Sequence, residues 1–165
     1  VRHFGVSNQN PMMMELLKTA IKQPLKVNQL QLSAAFTPSF EAGFHVNMEG
    51  PKAAVRDGSV FEYCRLTDTV IQAWSVLQHG YFKGNFVGKE EFAALNHVLT
   101  DLAKKYQVTP TAIALAWVLR YPGKTQAVIG TTKPQHVLEA GKAAEITLTR
   151  KEWYQIYLAA GNDLP

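Results

Sequence analysis

Hydrophobic and polar positions along the chain alternate between strand-like and helix-like patterns. Strand-like patterns occupy 1–7, 25–33, 69–77 and 126–130, and the third is an apolar run typical of a buried strand. Helix-like patterns occupy 12–22, 53–67, 90–106, 111–122, 134–144 and 150–160. Four strand-then-helix units in succession predict an α/β fold whose parallel strands are joined by right-handed crossovers.

Capping signals support three of the predicted helices. Asn10 and Thr109 each precede a proline, a pair typical of a helix N-cap and first turn. Thr149 and Glu152 have the spacing of a capping box. The stretch 34–52 is predicted to be irregular because of its helix and strand breakers, Pro38, Gly43, Gly50 and Pro51.

Composition narrows the class of protein. With 165 residues, of which 47% are hydrophobic and 18% charged, the chain is long enough for one domain with a sizeable core. It contains no apolar run of membrane-spanning length, and its first residues lack the features of a secretory signal. The single cysteine, Cys64, has no intrachain disulfide partner, so we expect a cytoplasmic protein with Cys64 as a buried small apolar side chain.

The charge pattern points to a small ligand. The net charge of +4 permits an anionic ligand, but the basic residues are scattered and form no run or aromatic-interleaved stripe. We therefore expect neither a nucleic-acid partner nor a membrane partner. The spacing of cysteines, histidines and acidic residues suggests no metal site.

Polar and aromatic residues cluster where the predicted strands end. Ser7–Asn8, Gln29, Trp74–Ser75 and Gly130–Thr132 all occupy such positions. The carboxyl ends of parallel strands meet at one edge of a sheet, and ligands bind at that edge in parallel α/β folds. Gly130–Thr132 also precedes a helix starting near Pro134, and free backbone N–H groups at a helix N-terminus suit a phosphate.

Four motifs in this order carry a family resemblance: "HFGVSN", "NQLQLS", "QAWSVL" and "VIGTTKPQHVLEA". Together they resemble the second half of an aldo-keto reductase, especially the bacterial aldo/keto reductase-type oxidoreductases, over essentially all of 1–165. The resemblance implies a (β/α)8 TIM barrel, of which this chain is a single-domain C-terminal half carrying strands five to eight. It also implies an NADP(H)-dependent oxidoreductase that reduces a small-molecule carbonyl to an alcohol by hydride transfer, without a GxGxxG motif.

The resemblance assigns the cofactor contacts residue by residue. It implies that Ser7, Asn8 and Gln29 contact the nicotinamide carboxamide and that Trp74 stacks on the nicotinamide ring. The segment along the pyrophosphate and ribose comprises Ser75, Val76, Leu77, Gln78 and Gly80.

The adenosine end of the cofactor is assigned in the same way. Gly130, Thr131 and Thr132 match the turn that holds the 2′-phosphate, His136 lies at the adenine end, and Glu139 matches the acid that binds the adenine amino group. NADP(H) is favoured over NAD(H), with Lys133 as a source of positive charge in place of the basic residues that many relatives carry.

Each of these residues also has an ordinary structural interpretation. Outside the "QAWS" context a tryptophan such as Trp74 is more often a core residue. Gly130–Thr132 is also an ordinary capping sequence, and a helical histidine such as His136 is usually a surface residue.

The family's catalytic Asp, Tyr, Lys and His come from the first half of the barrel, and none of their motifs occurs here. We therefore assign no catalytic residue to this chain. Four strands of a barrel would leave two unpaired edges and an apolar inner face in water, so we expect pairing with a complementary N-terminal half or self-association. The alternative function is a non-catalytic nucleotide-binding or regulatory module of the same fold.

Overall fold

Four parallel strands form one sheet in the order of the chain. The computed structural model describes residues 1–44, 59–80 and 83–164. The strands are β1 (Phe4–Ser7), β2 (Leu25–Gln31), β3 (Val70–Trp74) and β4 (Thr125–Ala127), paired in the order β1-β2-β3-β4. Every pairing is parallel, which confirms the predicted α/β class and its crossover connections.

Seven α-helices are found among the described residues: α1 (Pro11–Ala20), α2 (Pro38–Phe44), α3 (Val60–Leu66), α4 (Ala93–Tyr106), α5 (Pro110–Leu119), α6 (Pro134–Gly141) and α7 (Arg150–Ala159). The predicted caps are confirmed. The side chains of Asn10 and Thr109 accept hydrogen bonds from the backbone N–H groups of the first turns of α1 and α5, and Thr149 and Glu152 form both bonds of a capping box.

Several predicted boundaries were wrong. The prediction of an irregular stretch over 34–52 missed α2, and the part of that stretch from 45 lies outside the described residues, as do 53–58 of the predicted helix 53–67. Strand β3 ends at Trp74 rather than 77 because the next residue, Ser75, adopts a left-handed backbone with φ of 51°. Strand β4 ends at Ala127 rather than 130, and the helix predicted over 134–144 continues beyond Gly141 only as a 3-10 turn.

The helices cover one face of the sheet and bury the core there. Ile71 and Ala73 of β3 are fully buried on this face, and the middle of α5 from Ala112 to Val118 is buried all round. Phe40 of α2 packs against the aromatic rings of Phe61, Trp117, Tyr121, Trp153 and Tyr157. This burial explains why α2 forms despite its nearby glycine and proline residues.

The opposite face of the sheet, which we call the open face, carries a row of polar side chains. Ser7, Gln29, Gln72 and Gln126 lie in register across the four strands. Gln72 Nε2 donates to Gln126 Oε1 at 3.1 Å, and Gln29 Nε2 lies 3.4 Å from Gln72 Oε1. The expectation of an apolar inner face is therefore wrong for this row, whereas Val27 and Val70, two residues earlier on β2 and β3, place apolar side chains on the same face.

Both edges of the sheet are unpaired among the described residues. β1 and β4 each pair with one neighbour only. The helices that follow these two strands expose apolar side chains, namely Met12, Met13 and Leu16 of α1 and Val137 and Leu138 of α6. In the part of the chain that the structure describes, no helix has both the length and the apolar character needed to cross a lipid bilayer.

Candidate functional site

A cavity of about 620 Å³ opens at the carboxyl ends of β3 and β4. One wall is the segment that follows β3, from Trp74 to Gln78, and the opposite wall is the turn at Gly130 and Thr131 with the first turns of α6. His136 and Glu139 of α6 line the same cavity. The structure therefore brings together two parts of the predicted dinucleotide site, 74–78 and 130–139, that are far apart in the sequence.

The N-terminus of α6 lies beside this cavity and has no side-chain cap. Its N-cap residue, Lys133, makes no capping hydrogen bond, and Pro134 has no N–H to offer. The hydroxyl of Thr131 accepts a hydrogen bond from the Lys133 N–H at 3.2 Å and lies 3.4 Å from Nδ1 of His136. Hydroxyl, imidazole and the remaining uncapped N–H groups of this turn form a polar site suited to an anion.

A second cavity of about 470 Å³ lies on the other side of Trp74, so the indole is shared by both. It is lined by Asn8 of the β1 end, Gln31 of the β2 end, and residues around the start of α2. Gln31 is 6% exposed, and its Nε2 has no hydrogen-bond partner among the described residues. A buried donor without a partner beside a cavity is costly unless a ligand satisfies it.

Asn8 and Ser75, which follow β1 and β3, both adopt a left-handed backbone, with φ of 54° and 51°. Asn tolerates this region, whereas Ser rarely adopts it, and such strain concentrates at functional sites. The turn at Ser75 is held by a hydrogen bond from Gln78 N to Ser75 O at 2.8 Å. The chain thereby leaves β3 sharply and runs along the first cavity.

Asn96 of α4 fixes the loop that follows this segment. Its Nδ2 donates to the carbonyls of Phe86 and Lys89 at 2.9 Å each, and its Oδ1 accepts from the Gly88 N–H at 2.8 Å. Phe86 N in turn donates to Leu77 O at 3.0 Å. The wall of the first cavity is therefore held from behind by residues 86–89.

Most of the predicted site residues gather at these two cavities. The first is lined by Trp74, Ser75, Val76, Leu77, Gln78, Gly130, Thr131, His136 and Glu139, and the second by Asn8 and Trp74. Four predicted residues, namely Ser7, Gln29, Gly80 and Thr132, line neither cavity.

Ser7 and Gln29 lie instead in the polar row of the open face, where Ser7 Oγ donates to Gln29 O at 3.1 Å. Gly80 is covered by the Lys83 side chain, since a Cβ added at Gly80 would lie 2.9 Å from Lys83 Cδ. Thr132 is exposed next to Thr131 in the turn.

Sequence reasoning missed several lining residues. Thr111 and Leu115 of α5 contribute to the first cavity, and Val128 and Ile129 line it just beyond the end of β4. In the second cavity Gln31, Phe36, Pro38 and Ser39 were missed. The alternation of β2 gave a signal for Gln31, because Gln29 and Gln31 lie two residues apart and so share a face.

No cluster of three or more potential metal-ligating side chains occurs within 1–44, 59–80 and 83–164. The first cavity fits a nicotinamide dinucleotide by its own chemistry. It has a flat indole at one end and an uncapped helix N-terminus at the other, and between them the buried Oε1 of Gln78 has no hydrogen-bond partner among the described residues. An acceptor of this kind suits a ribose hydroxyl.

Comparison with known proteins agrees with the fold. The model of the Aldo/keto reductase family matches residues 1–159. The chain is 31% identical to 6-dehydroglucose reductase of Agrobacterium fabrum, covering 99% of this chain and 48% of the relative. It is 29% identical to the oxidoreductase YdhF of Escherichia coli, covering 100% of this chain and 49% of the relative.

A solved structure of a thermostable aldo-keto reductase in complex with the inhibitor epalrestat superposes with a TM-score of 0.67 at 21% identity, covering 96% of this chain and 48% of that one. The chain spans about half the length of the curated relatives that it matches. Its four parallel strands in chain order correspond to half of a TIM barrel. The protein belongs to the aldo/keto reductase family of oxidoreductases.

Proposed function

We propose that this chain supplies the dinucleotide-binding half of an NADP(H)-dependent carbonyl reductase. The observation that carries the proposal is the first cavity, which joins the Trp74 indole to the uncapped N-terminus of α6. An extended dinucleotide needs an aromatic surface at one end and an anion site at the other. Both ends of this cavity are formed by residues of this chain.

Individual residues have distinct roles in this proposal. Trp74 packs on the nicotinamide ring, and Asn8 supplies the amide that pairs with the nicotinamide carboxamide. The segment Ser75–Gln78 lies along the ribose and pyrophosphate. Thr131, Thr132 and the N–H groups of the first turn of α6 hold the adenosine 2′-phosphate, with Glu139 at the adenine.

The cofactor, when bound, supplies a hydride to the carbonyl carbon of the substrate. This chain's residues bind and orient the nucleotide and exclude water from it. The group that protonates the carbonyl oxygen comes, in this proposal, from the complementary half of the barrel. The preference for NADP(H) over NAD(H) rests on the sequence of the turn from Gly130 to Lys133, which offers two hydroxyls, backbone N–H groups and a lysine side chain.

Adenosine 2′,5′-bisphosphate tests the proposal, because it needs only the β4–α6 end of the site. We expect it to bind the 165-residue chain saturably in calorimetry, at least fivefold more tightly than adenosine 5′-monophosphate. Thr132→Glu places a negative charge beside the phosphate and should weaken adenosine 2′,5′-bisphosphate by about tenfold, or about 1.4 kcal/mol, while leaving the monophosphate nearly unchanged.

Gln155→Glu, an equal charge change at an exposed position of α7, is the matched control and should leave both affinities unchanged. Equal affinity of the two nucleotides, or equal loss of both in Thr132→Glu, would contradict the 2′-phosphate assignment.

We also propose that a complementary half of the barrel covers the open face and pairs with the edges of β1 and β4. Two unpaired edges and the apolar side chains exposed on α1 and α6 support this partner, as does the double length of the relatives. A second copy of this chain is the competing occupant. A cytoplasmic location is proposed from the lone cysteine, Cys64, which is fully buried.

A further inference from the structure

A separate cavity of about 280 Å³ lies at the opposite end of the sheet, near the amino ends of β3 and β4. Its walls come from Glu62 and Arg65 of α3, from the segment that follows α5 and from the first turns of α7. It shares no residue with the two cavities at the carboxyl ends of the strands. The proposed dinucleotide site therefore does not explain why this cavity is present.

The rim of this cavity is strongly positive. It carries three arginines, Arg65, Arg120 and Arg150, and one carboxylate, Glu62. None of the ion pairs formed by described residues involves these arginines. Three guanidinium groups around one small concavity repel one another, and an anion placed among them would relieve that repulsion.

Each arginine is positioned by its own contact. Arg120 Nε donates to Leu148 O at 2.9 Å, which leaves its terminal nitrogens for other partners. Arg150 Cζ lies 5.7 Å from the centre of the Tyr154 ring. The stem of Arg65 crosses Gly123, where an added Cβ would lie only 3.2 Å from Arg65 Cγ. The positive rim is thus held in place by fixed contacts.

The floor of the cavity is aromatic and rigid. Tyr121 and Trp153 are each 7% exposed, and Trp153 stacks on Trp117 with ring centres 4.8 Å apart. Each indole N–H donates to the backbone carbonyl of the other tryptophan, at 3.0 and 3.1 Å, which locks both rings. Burial, together with Glu62, raises the pKa of Tyr121 to about 12, against the opposing effect of Arg65, so the phenol is protonated at physiological pH and can donate a hydrogen bond to a ligand.

We propose that this arginine-rimmed cavity binds a small planar organic anion, namely an aromatic carboxylate whose ring lies on the Tyr121–Trp153 floor and whose carboxylate oxygens meet the guanidinium groups. Guanidinium groups pair with carboxylates through two parallel hydrogen bonds, and aromatic rings add stacking. A bare inorganic anion would leave the floor uncovered. An acidic peptide would need a longer groove than 280 Å³ provides.

Benzene-1,3-dicarboxylate is the probe for this site. Titrated into the 165-residue chain, it should bind saturably in calorimetry with a dissociation constant of about 1 mM or tighter and should change the indole fluorescence. Arg65→Gln and Arg150→Gln should each weaken binding by about fivefold or more. Lys151→Gln, which removes an exposed charge next to Arg150 without touching the cavity, should leave the affinity within twofold.

Two comparison ligands separate charge from stacking. Inorganic phosphate and cyclohexane-1,3-dicarboxylate should each bind at least fivefold more weakly than the aromatic dianion. Equal affinity for either of them, equal weakening in Lys151→Gln, or the lack of saturable binding would overturn the proposal. Because Trp74→Ala alters the nucleotide cavities only, its unchanged affinity for the aromatic dianion would show that this site stands independently of the proposed reductase function.

Discussion

Trp74 is the residue that connects the two parts of the candidate site, because its indole forms a wall of both cavities at the carboxyl ends of the strands. It ends β3 and is only partly buried, so it contributes less to the core than the stacked pair Trp117 and Trp153. Because its indole lines both cavities, a ligand bound in either of them would contact it directly.

Trp74→Ala should therefore weaken NADP⁺ binding to the chain by about five- to tenfold, since stacking on an aromatic face contributes about 1 kcal/mol beyond buried area. Trp74→Phe keeps a flat ring and should retain most of the affinity. Titration calorimetry of both variants measures this. Equal affinities for the two variants would show that the ring is not a stacking surface.

For single residues, the sequence predicts which residues lie at the strand ends better than it predicts their backbone conformation or the cavity that their side chains line. The strand-end positions of Asn8, Trp74 and Thr131 follow from the apolar pattern, and all three line a cavity. The sequence does not predict that Ser75 has a positive φ, because serine has no intrinsic preference for that region. Gln31 was missed because two glutamines on one strand face look equivalent until the neighbouring elements are placed.

Among the secondary-structure elements, α4 and α7 are joined by a buried carboxylate. Glu152 is 6% exposed and accepts hydrogen bonds from Lys105 Nζ at 2.6 Å, Tyr106 Oη at 2.8 Å and the Thr149 N–H at 2.8 Å. Burial alone would raise the pKa of Glu152, but these hydrogen bonds outweigh it and lower the pKa to about 2. Glu152 is at once the end of the capping box and the link between two helices.

Because its folded-state pKa is depressed, Glu152 stabilises the fold fully above its unfolded pKa of about 4.5 and loses that contribution as the pH falls towards 2. Glu152→Gln should lower the free energy of unfolding by about 2 kcal/mol at pH 7, with a smaller difference from the parent at pH 3. Denaturant unfolding at both pH values measures this. Glu145→Gln, at an exposed carboxylate, is the control, and a difference that stayed constant with pH would contradict the charged role of Glu152.

A second prediction concerns the loop fixed by α4. Asn96→Ala removes three hydrogen bonds to Phe86, Gly88 and Lys89 and should lower the free energy of unfolding by about 1–2 kcal/mol. Amide exchange in the loop should also accelerate. His97→Ala is the matched control, because that neighbouring side chain is 78% exposed. Similar stabilities of the two variants would show that Asn96 does not hold the loop.

The element boundaries show where pattern reasoning fails. Thr37 and Pro38 have the same sequence as the correctly predicted start Thr109–Pro110, yet Pro38 was interpreted as a breaker because glycine and proline follow it. What stabilises α2 is the burial of Phe40 among rings from three other helices, a tertiary contact that a local pattern does not contain. β4 is also shorter than predicted: Val128 N still donates to Ala73 O of β3 at 2.8 Å, but Val128 and Ile129 lie beyond the strand and line the first cavity.

For the whole molecule, the alternation of strands and helices predicted that the strands are parallel, whereas their order followed only from the family resemblance, which implied consecutive strands of a barrel. It did not predict the polar open face, which arises from the register that aligns Gln29, Gln72 and Gln126. Among the described residues, the edges of β1 and β4 have backbone groups with no partner strand.

Hydrogen exchange should report these edges directly. In dilute solutions of the chain, the outward amides of Phe4–Ser7 and Thr125–Ala127 should exchange rapidly, while those of β2 and β3 exchange slowly. Protection of all four strands in a monomer would show that the edges are already paired and would contradict the proposed complementary half.

Exposed apolar residues on both flanks should also promote self-association at high concentration. Leu16 and Leu138 are 73% and 68% exposed on α1 and α6, the helices that follow the two edge strands. The double variant Leu16→Glu/Leu138→Glu should sediment as a smaller species than the parent at equal concentration. Leu158→Glu, at an exposed position of α7 away from the edges, should sediment like the parent. The same sedimentation for all three proteins would exclude these flanks as contact surfaces.

The row of glutamines has a practical consequence for anyone wishing to use this chain as a stand-alone scaffold. The glutamine side chains at the centre of the open face already hydrogen-bond to one another, so this row needs no new charged side chains. New charged side chains are needed at the two edge strands and at the exposed apolar residues of α1 and α6. The row of amides then offers a polar surface on which a new binding site can be designed.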